Sequence, residues 1–168
     1  MPLASLFRRN RYRPLAHAAY TSIVEQARTP DFFVHLEVPD TLDGRFDSLA
    51  LHASLMIDRL RQEADGEALA QAFFDAMFHH LDLTLREIGV QDLGVGRRIK
   101  IMAEGLHGRA LAYREALAGT GEALAEALRR NAYGGRPAPD PQAVALLEAY
   151  VRAEAQRLAA TPRSELAG

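Results

Sequence analysis

The chain has 168 residues and a mass of 18.5 kDa, the size of one compact domain that buries a sizeable core. Its hydrophobic content of 48% and charged content of 25% exclude a wholly disordered chain and a low-complexity fibre. The absence of cysteine excludes a disulfide scaffold, a cysteine-ligated zinc finger and a thiol nucleophile. The net charge of −2 gives no general reason to expect nucleic acid as a partner.

Residues that favour helices dominate the composition. Leucine and alanine supply 53 residues and isoleucine and valine only 12, and no proline interrupts residues 40–136. The sequence therefore predicts an all-α protein, a single-domain bundle of about six helices. Its predicted parts are a basic N-terminal arm over residues 1–13, a helical domain over 14–133, a Gly/Pro linker over 134–141 and a C-terminal helix and tail over 142–168.

The N-terminal region is basic. Four arginines and no acidic residue lie in residues 1–24, which leaves a net charge of −6 for the rest of the chain. We expect either a solvated arm or an arm that rests on an anionic membrane surface. The arginines concerned are Arg8, Arg9, Arg11 and Arg13. Pro14 is predicted to be the first residue of a helix that ends near Arg28, and a short helix follows Thr29.

Three long helices are predicted in the proline-free stretch. Residues 38–44 form a loop, and apolar spacings of three and four from Phe46 predict a helix that ends near Gly66. Asp65 is a candidate cap for the next helix, whose two apolar stripes predict that it is central in the bundle. The stripes are Leu69, Ala72, Phe73, Ala76, Met77 and His80 on one side and Phe74, Phe78, Leu81, Leu85 and Ile88 on the other. Gly89 is its predicted stop, and residues 90–96 form a turn into a third long helix.

Two further helices are predicted near the C-terminus. Thr120 is a candidate cap for a helix that ends near Tyr133, and Asp140 with Pro141 caps the last helix. From the sequence, this last helix either docks on the bundle or extends toward a partner. No apolar run reaches 18 residues, so no transmembrane helix is expected.

One polar stripe has spacing compatible with a metal site. Asp75, His79, Asp82 and Arg86 are separated by four, three and four residues, which places them on one helix face. Carboxylates and imidazoles on neighbouring helices hold metals in helical di-metal sites, and Glu104 with His107 would supplement the set. A hydrogen-bonded surface stripe is the favoured alternative, because such pairs are common on solvated helices.

Two histidines and three cations are further candidates for chemistry. His52 and His80 fall on apolar stripes and are predicted to be core histidines bonded to backbone carbonyls rather than general bases. Arg97, Arg98 and Lys100 follow two glycines, so free helix amides near three cations could hold a phosphate or another acidic group. A solvated face is the alternative. No familiar hydrolase, metalloprotease or dinucleotide motif appears.

Several motifs occur together in one order between Tyr20 and Tyr133. They are IVEQAR over residues 23–28, VPDTLDGRFD over 38–47, Leu51 with His52, LREIGVQDL over 85–93, Gly108 with Arg109, Ala112 with Tyr113, and RNAY over 130–133. On these motifs the chain resembles the ubiquinol–cytochrome c chaperone family, the assembly factors of the cytochrome bc1 complex. An ordered set of long motifs is far more specific than any single glycine pattern.

The resemblance implies an all-helical chaperone with no catalytic step and no cofactor. Mitochondrial members act with a small partner protein near the ribosomal exit, where they bind newly made cytochrome b. The chain lacks a long transit peptide and resembles the bacterial members. The expected partners are therefore cytochrome b or bc1 assembly intermediates. The expected location is the cytoplasm, with peripheral contact at the inner membrane. The short basic leader differs from the mitochondrial pattern, so ribosome binding and the small partner are left open.

The charged residues of two family motifs are the candidate site. They are Asp40, Asp43, Arg45, Asp47, Arg86, Glu87 and Asp92. Either they contact a client protein or they are architectural, with Asp43 capping a helix and Arg45 or Arg86 bridging carboxylates. Two functions are therefore carried forward: a non-catalytic assembly chaperone for cytochrome b, and a helical metal-dependent enzyme using Asp75, His79 and Asp82.

Overall fold

The computed structural model describes residues 2–134 and 138–166, with the backbone alone for residues 2–10. Every regular element in these residues is helical, as predicted. The helices are α1 (Pro2–Ala27), α2 (Asp31–Val34), α3 (Leu42–Arg61), α4 (Gly66–Glu87), α5 (Asp92–Ala118), α6 (Leu124–Ala132) and α7 (Pro141–Ala160), followed by a 3-10 turn over Arg163–Glu165.

The first helix begins earlier than predicted. Pro14 lies inside α1 rather than at its first position, so the predicted arm over residues 2–13 is continuous with the helix. A proline in a helix interior removes one backbone hydrogen bond and strains the preceding turn. That turn is held by tertiary packing, because Tyr12 is 8% exposed and belongs to the core. Helix propensity along the sequence does not show this packing of Tyr12, so it does not predict the early start of α1.

The start of α3 also differs from the prediction. The helix begins at Leu42, four residues before Phe46, because the Thr41 side chain accepts a hydrogen bond from Gly44 N at 3.0 Å. Asp43, predicted as a cap, instead lies exposed in the first turn, where its charge still suits the helix dipole. Gly44 is required there because an added Cβ would lie 1.8 Å from the Pro39 carbonyl oxygen.

The central helix of the bundle is α3, not α4 as the two stripes predicted. Twelve of its twenty residues are buried, and it packs against α1, α4, α5, α6 and α7. The first stripe of α4 is buried at Leu69, Phe73 and Met77, whereas the second is only partly covered. A helix with two apolar sides is not necessarily central, because one of its sides can border an open groove.

The α4–α5 connection is shorter than predicted. Gly89 ends α4 with φ +90°, as expected, but α5 begins at Asp92 within the predicted turn. The amides of Gly94 and Val95 therefore bond to the Gln91 carbonyl at 2.8 and 3.0 Å and are not free for an anion. This corrects the idea of a phosphate held by those amides.

The last two helices complete the bundle. Thr120 does not cap α6, which begins at Leu124; its hydroxyl instead lies 3.4 Å from the Glu115 carbonyl at the end of α5. Asp140 caps α7 as predicted, accepting from Gln142 N at 2.8 Å. The apolar face of α7 is buried against α3 and α6, so the last helix docks on its own bundle.

Candidate functional site

A groove with a volume of about 210 Å³ lies where α3, α4 and α5 meet. Its floor includes Ile57 from α3, Ala70 from α4 and Leu106 from α5, each of them buried. These residues belong to faces that pack against one another, so the core rather than a loop holds the shape of the groove. The volume is below the roughly 300–1,000 Å³ of small-molecule sites and suits a few anchoring side chains of a bound peptide.

One wall of the groove is aromatic and partly exposed. Phe74 of α4 stacks on His107 of α5, with ring centroids 5.1 Å apart and an interplanar angle of 22°. Phe78, one turn later, is buried and supports Phe74 from the core, with ring centroids 4.5 Å apart. Leu111, one turn beyond His107, is 46% exposed. This wall therefore offers apolar surface that a partner would remove from water.

The groove is also bordered by charge. Arg61 Nε lies 3.4 Å from Glu67 Oε1, and this surface pair contributes little energy. Arg114 is exposed and makes no ion pair with any residue that the structure describes. The arrangement fits a segment that combines apolar anchors with an acidic group. No sequence pattern pointed to Arg61 or Arg114, because the residues that line the groove come from three helices with no common spacing.

The predicted metal-site stripe lies on α4 but outside this groove floor. Arg86 Nε donates to Asp82 Oδ2 at 2.8 Å, and this hydrogen bond lowers the pKa of Asp82. Asp75 accepts from Gln71 Nε2 at 2.9 Å, and His79 is exposed.

The supplementary pair predicted for a metal is also engaged elsewhere. Glu104 lies 3.9 Å from Lys100, and His107 packs on Phe74. Among the side chains that the structure describes, no three His, Cys, Asp or Glu residues are grouped to hold a metal ion. The geometry therefore gives the metal-enzyme hypothesis no support.

The first charged motif is split between the surface and the core. Arg45 Nε donates to Asp40 Oδ1 at 2.7 Å on the surface, and Asp43 is exposed. Asp47 instead points inward, and its side chain is 8% exposed. Arg109 Nη2 of α5 donates to Asp47 Oδ1 at 2.6 Å, linking α3 to α5. Burial raises the pKa of Asp47 to about 6, although the Arg109 charge and hydrogen bond oppose the shift.

Three separate family motifs meet at this buried pair. Arg109 Nε lies 3.5 Å from the Asn131 carbonyl, and the Arg109 guanidinium lies 5.7 Å from the Phe46 ring centroid. Tyr113, one turn after Arg109, is 1% exposed, and burial raises the pKa of its hydroxyl. The Tyr113 hydroxyl and Asn131 Nδ2 are buried with no hydrogen-bond partner among the described residues. These residues belong to the sequence motifs, but their positions along the chain do not show that they meet in the fold.

The second charged motif joins two helices of the groove. Arg86, in the last turn of α4, bonds to Asp82 on its own helix and to Asp92 at the start of α5. Glu87 is exposed. The two motifs therefore contact α5 at two points. Asp47 of α3 bonds to Arg109 of α5, and Arg86 of α4 bonds to Asp92 of α5.

The predicted cations fall at opposite ends of the molecule. Tyr12 interacts with Asp65 at the start of α4, and the Tyr20 hydroxyl hydrogen-bonds to His80 further along, so α1 and α4 run in the same direction. Arg11 and Arg13 therefore lie near the start of α4, and both are exposed. Arg97, Arg98 and Lys100, also exposed, lie in the first turns of α5, beside the last turns of α4. The two groups are separated by most of the length of α4, roughly 25 Å. The side chains of Arg8 and Arg9 are outside the described residues.

The two candidate core histidines have different environments. His52 is 1% exposed; its Nδ1 donates to the Ser48 carbonyl at 2.7 Å, as predicted, and its Nε2 accepts from the Tyr150 hydroxyl at 2.8 Å. Burial lowers the pKa of His52, which keeps the ring neutral. His80 is exposed and bonds to the Tyr20 hydroxyl at 2.9 Å, so its predicted carbonyl partner is wrong.

Comparison with known proteins supports the family that the motifs suggest. A family model described as ubiquinol-cytochrome C chaperone matches residues 34–168. A crystal structure of the Cbp3 homolog from Brucella abortus superposes with a TM-score of 0.78 at 35% identity, covering 99% of this chain and 93% of that one.

Animal relatives are similar over a shorter share of their own length. The human ubiquinol-cytochrome c reductase complex assembly factor 1 is 29% identical over 140 residues, which are 83% of this chain and 46% of the human protein. The mouse protein of the same name is 28% identical over 83% of this chain and 47% of its own. The chain thus spans about half the length of these mammalian relatives. On the matched family model and the related crystal structure, the chain belongs to the ubiquinol–cytochrome c chaperone family.

Proposed function

We propose that this protein is a non-catalytic assembly chaperone of the cytochrome bc1 complex that holds an apolar segment of cytochrome b in the α3–α4–α5 groove. Family membership supports the assembly role, and the human relative is named as an assembly factor of the same complex. The observation that carries the binding site is a buried apolar floor beside exposed Leu111 and Arg114. The protein acts at the cytoplasmic face of the bacterial inner membrane.

The charged motifs position the groove in this proposal. Asp47 with Arg109 fixes α5 against α3, whereas the exposed Arg86–Asp92 pair adds little to the contact of α5 with α4. The groove is formed by these same three helices, so its width depends mainly on the buried Asp47–Arg109 link. Asp40 with Arg45 stabilises the loop that leads into α3. The motif residues therefore act on client binding through helix placement.

The client segment is a helix or an extended stretch with apolar anchors and one acidic residue. Covering the exposed half of Leu111 contributes roughly 1 kcal/mol, about fivefold in affinity. Arg114 would pair with the carboxylate once the contact excludes water. The small partner protein of mitochondrial members is the other candidate occupant.

Co-purification from native membranes tests the proposal. We expect cytochrome b to be recovered with the tagged wild-type protein and to fall at least tenfold with Leu111→Asp, because a carboxylate there enters an apolar contact. Leu146→Asp is the matched control, since Leu146 is 50% exposed on α7, away from the groove. Deleting the gene should lower assembled bc1 complex. Equal recovery of cytochrome b with both variants would contradict the groove assignment, and unchanged complex would contradict the function.

A further inference from the structure

The end of the α4–α5 hairpin exposes an unusual amount of apolar surface. Eight large hydrophobic side chains are exposed among the residues whose side chains are described, and four lie here. They are Leu83 at 46%, Ile88 at 56%, Leu93 at 95% and Ile101 at 59% exposure. We call residues 83–103 the hairpin tip. A leucine that is 95% exposed buries almost no apolar surface within the fold, and a group of exposed apolar side chains is typical of a surface that binds a partner or a membrane.

The hairpin tip also carries unpaired cations. It holds four cations and two carboxylates, and Asp82 and Glu104, one residue outside its two ends, pair with Arg86 and Lys100. Asp92 also pairs with Arg86. Arg97 and Arg98 form no ion pair with any described residue, and Lys100 approaches Glu104 only at 3.9 Å.

Apolar and cationic side chains share one face of α5. Leu93, Arg97, Lys100 and Ile101 are spaced i, i+4, i+7 and i+8, which brings them onto one side of the helix. Apolar residues flanked by arginine and lysine are the pattern of helices that lie in a membrane interface. In the described part of the chain, no helix is long and apolar enough to cross a membrane.

We propose that the hairpin tip docks the protein on an anionic lipid surface. Ile88, Leu93 and Ile101 enter the boundary between headgroups and acyl chains, and Arg97, Arg98 and Lys100 approach the lipid phosphates. The exposed groove residue Leu111 is 10 residues after Ile101 on α5, roughly 15 Å along the helix, so the docking residues and Leu111 occupy separate stretches of the hairpin. This inference does not depend on which client the groove holds.

A single tryptophan reports the contact directly, because the chain contains none. We expect the emission of the Leu93→Trp protein to shift to the blue with vesicles of equal parts phosphatidylglycerol and phosphatidylcholine. Phosphatidylcholine alone should give no shift, and neither should free inorganic phosphate. Leu146→Trp on α7 is the matched control and should not respond to either vesicle. An unchanged Leu93→Trp emission with anionic vesicles would overturn the proposal.

Charge substitutions separate this surface from the basic leader. Replacing Arg97, Arg98 and Lys100 with glutamine should weaken binding to anionic vesicles roughly 100-fold, about fivefold per cation, and added salt should weaken the wild type. Arg11→Gln with Arg13→Gln, at the other end of the molecule, should leave binding nearly unchanged.

Two outcomes would assign the contacts differently and refute the docking surface. One is loss of vesicle binding in the Arg11/Arg13 variant with retention in the hairpin-tip variant. The other is a blue shift of Leu93→Trp without vesicles that disappears on dilution, which would make the tip an interface between copies of the chain. Far-UV circular dichroism verifies that each variant, changed only at exposed positions, keeps its helical content.

Discussion

Replacing Arg109 with alanine removes the cation that faces the buried carboxylate of Asp47. The two side chains are joined by a 2.6 Å hydrogen bond and are 20% and 8% exposed. Removing one partner of a buried ion pair costs about 3–5 kcal/mol, because the remaining charge stays buried without compensation. Since Arg109 is partly exposed, we expect a loss of about 2–4 kcal/mol in the free energy of unfolding near neutral pH.

The loss should depend on pH in a defined direction. Burial already raises the pKa of Asp47 to about 6 against the opposing effect of Arg109, so the native pKa lies higher still in the variant. A carboxyl whose folded pKa exceeds its unfolded value binds more protons when folded, so stability falls as pH rises between the two values. In the wild type, the free energy of unfolding stops falling near pH 6. In the variant it continues to fall above pH 6, by up to about 1.4 kcal/mol per pH unit.

Urea denaturation followed by circular dichroism measures both effects. The cost of Arg109→Ala should be larger at about pH 8 than at about pH 5, and adding Asp47→Asn should abolish that difference. Arg45→Ala is the matched control, because the Arg45–Asp40 pair is exposed to solvent and should contribute little to stability at either pH. Equal losses for the two arginine variants, or a cost for Arg109→Ala that does not grow with pH, would refute the reasoning.

Two further substitutions test the packing that supports the site. Gly44→Ala should destabilise the protein by about 1–3 kcal/mol or more in thermal unfolding, because the added Cβ would collide with the Pro39 backbone. Gly96→Ala is the control on α5: no atom lies within 4 Å of its added Cβ, and the change should stabilise the protein by up to about 1 kcal/mol. Equal effects would contradict the predicted collision. Tyr150→Phe should cost about 1–3 kcal/mol in urea denaturation because it leaves buried His52 Nε2 without its donor, and an unchanged midpoint would show that the bond adds no net stability.

Local signals in the sequence predicted many helix boundaries and failed where a boundary depends on packing. Asp140 and Gly89 were found because a cap and a left-handed stop are properties of a few neighbouring residues. Pro14 was misplaced because the buried Tyr12, not propensity, holds the turn before it. Thr120 is not the cap of α6 that the sequence predicts, because it lies between two helices and its hydroxyl contacts the end of α5 rather than the start of α6.

The candidate site was predicted only in fragments. Phe74 and His107 appeared in the sequence as part of an apolar stripe and a metal pair, and the structure brings them together as one groove wall. Arg61 and Arg114 had no recognisable signal, because a groove assembled from three helices has no period along the chain. The two cationic groups, similar in sequence, are separated by the parallel course of α1 and α4.

The sequence by itself determined the all-helical class, the breaks between helices and the ordered motifs of the family, because propensity, caps and motif order are encoded along the chain. Tertiary structure alone decided that α3 is central, that Asp47 meets Arg109 across 62 residues, and that one side of α4 borders a groove. The physical reason is that burial depends on which faces meet. An apolar stripe has the same spacing whether a neighbouring helix covers it completely or leaves part of it exposed to a partner.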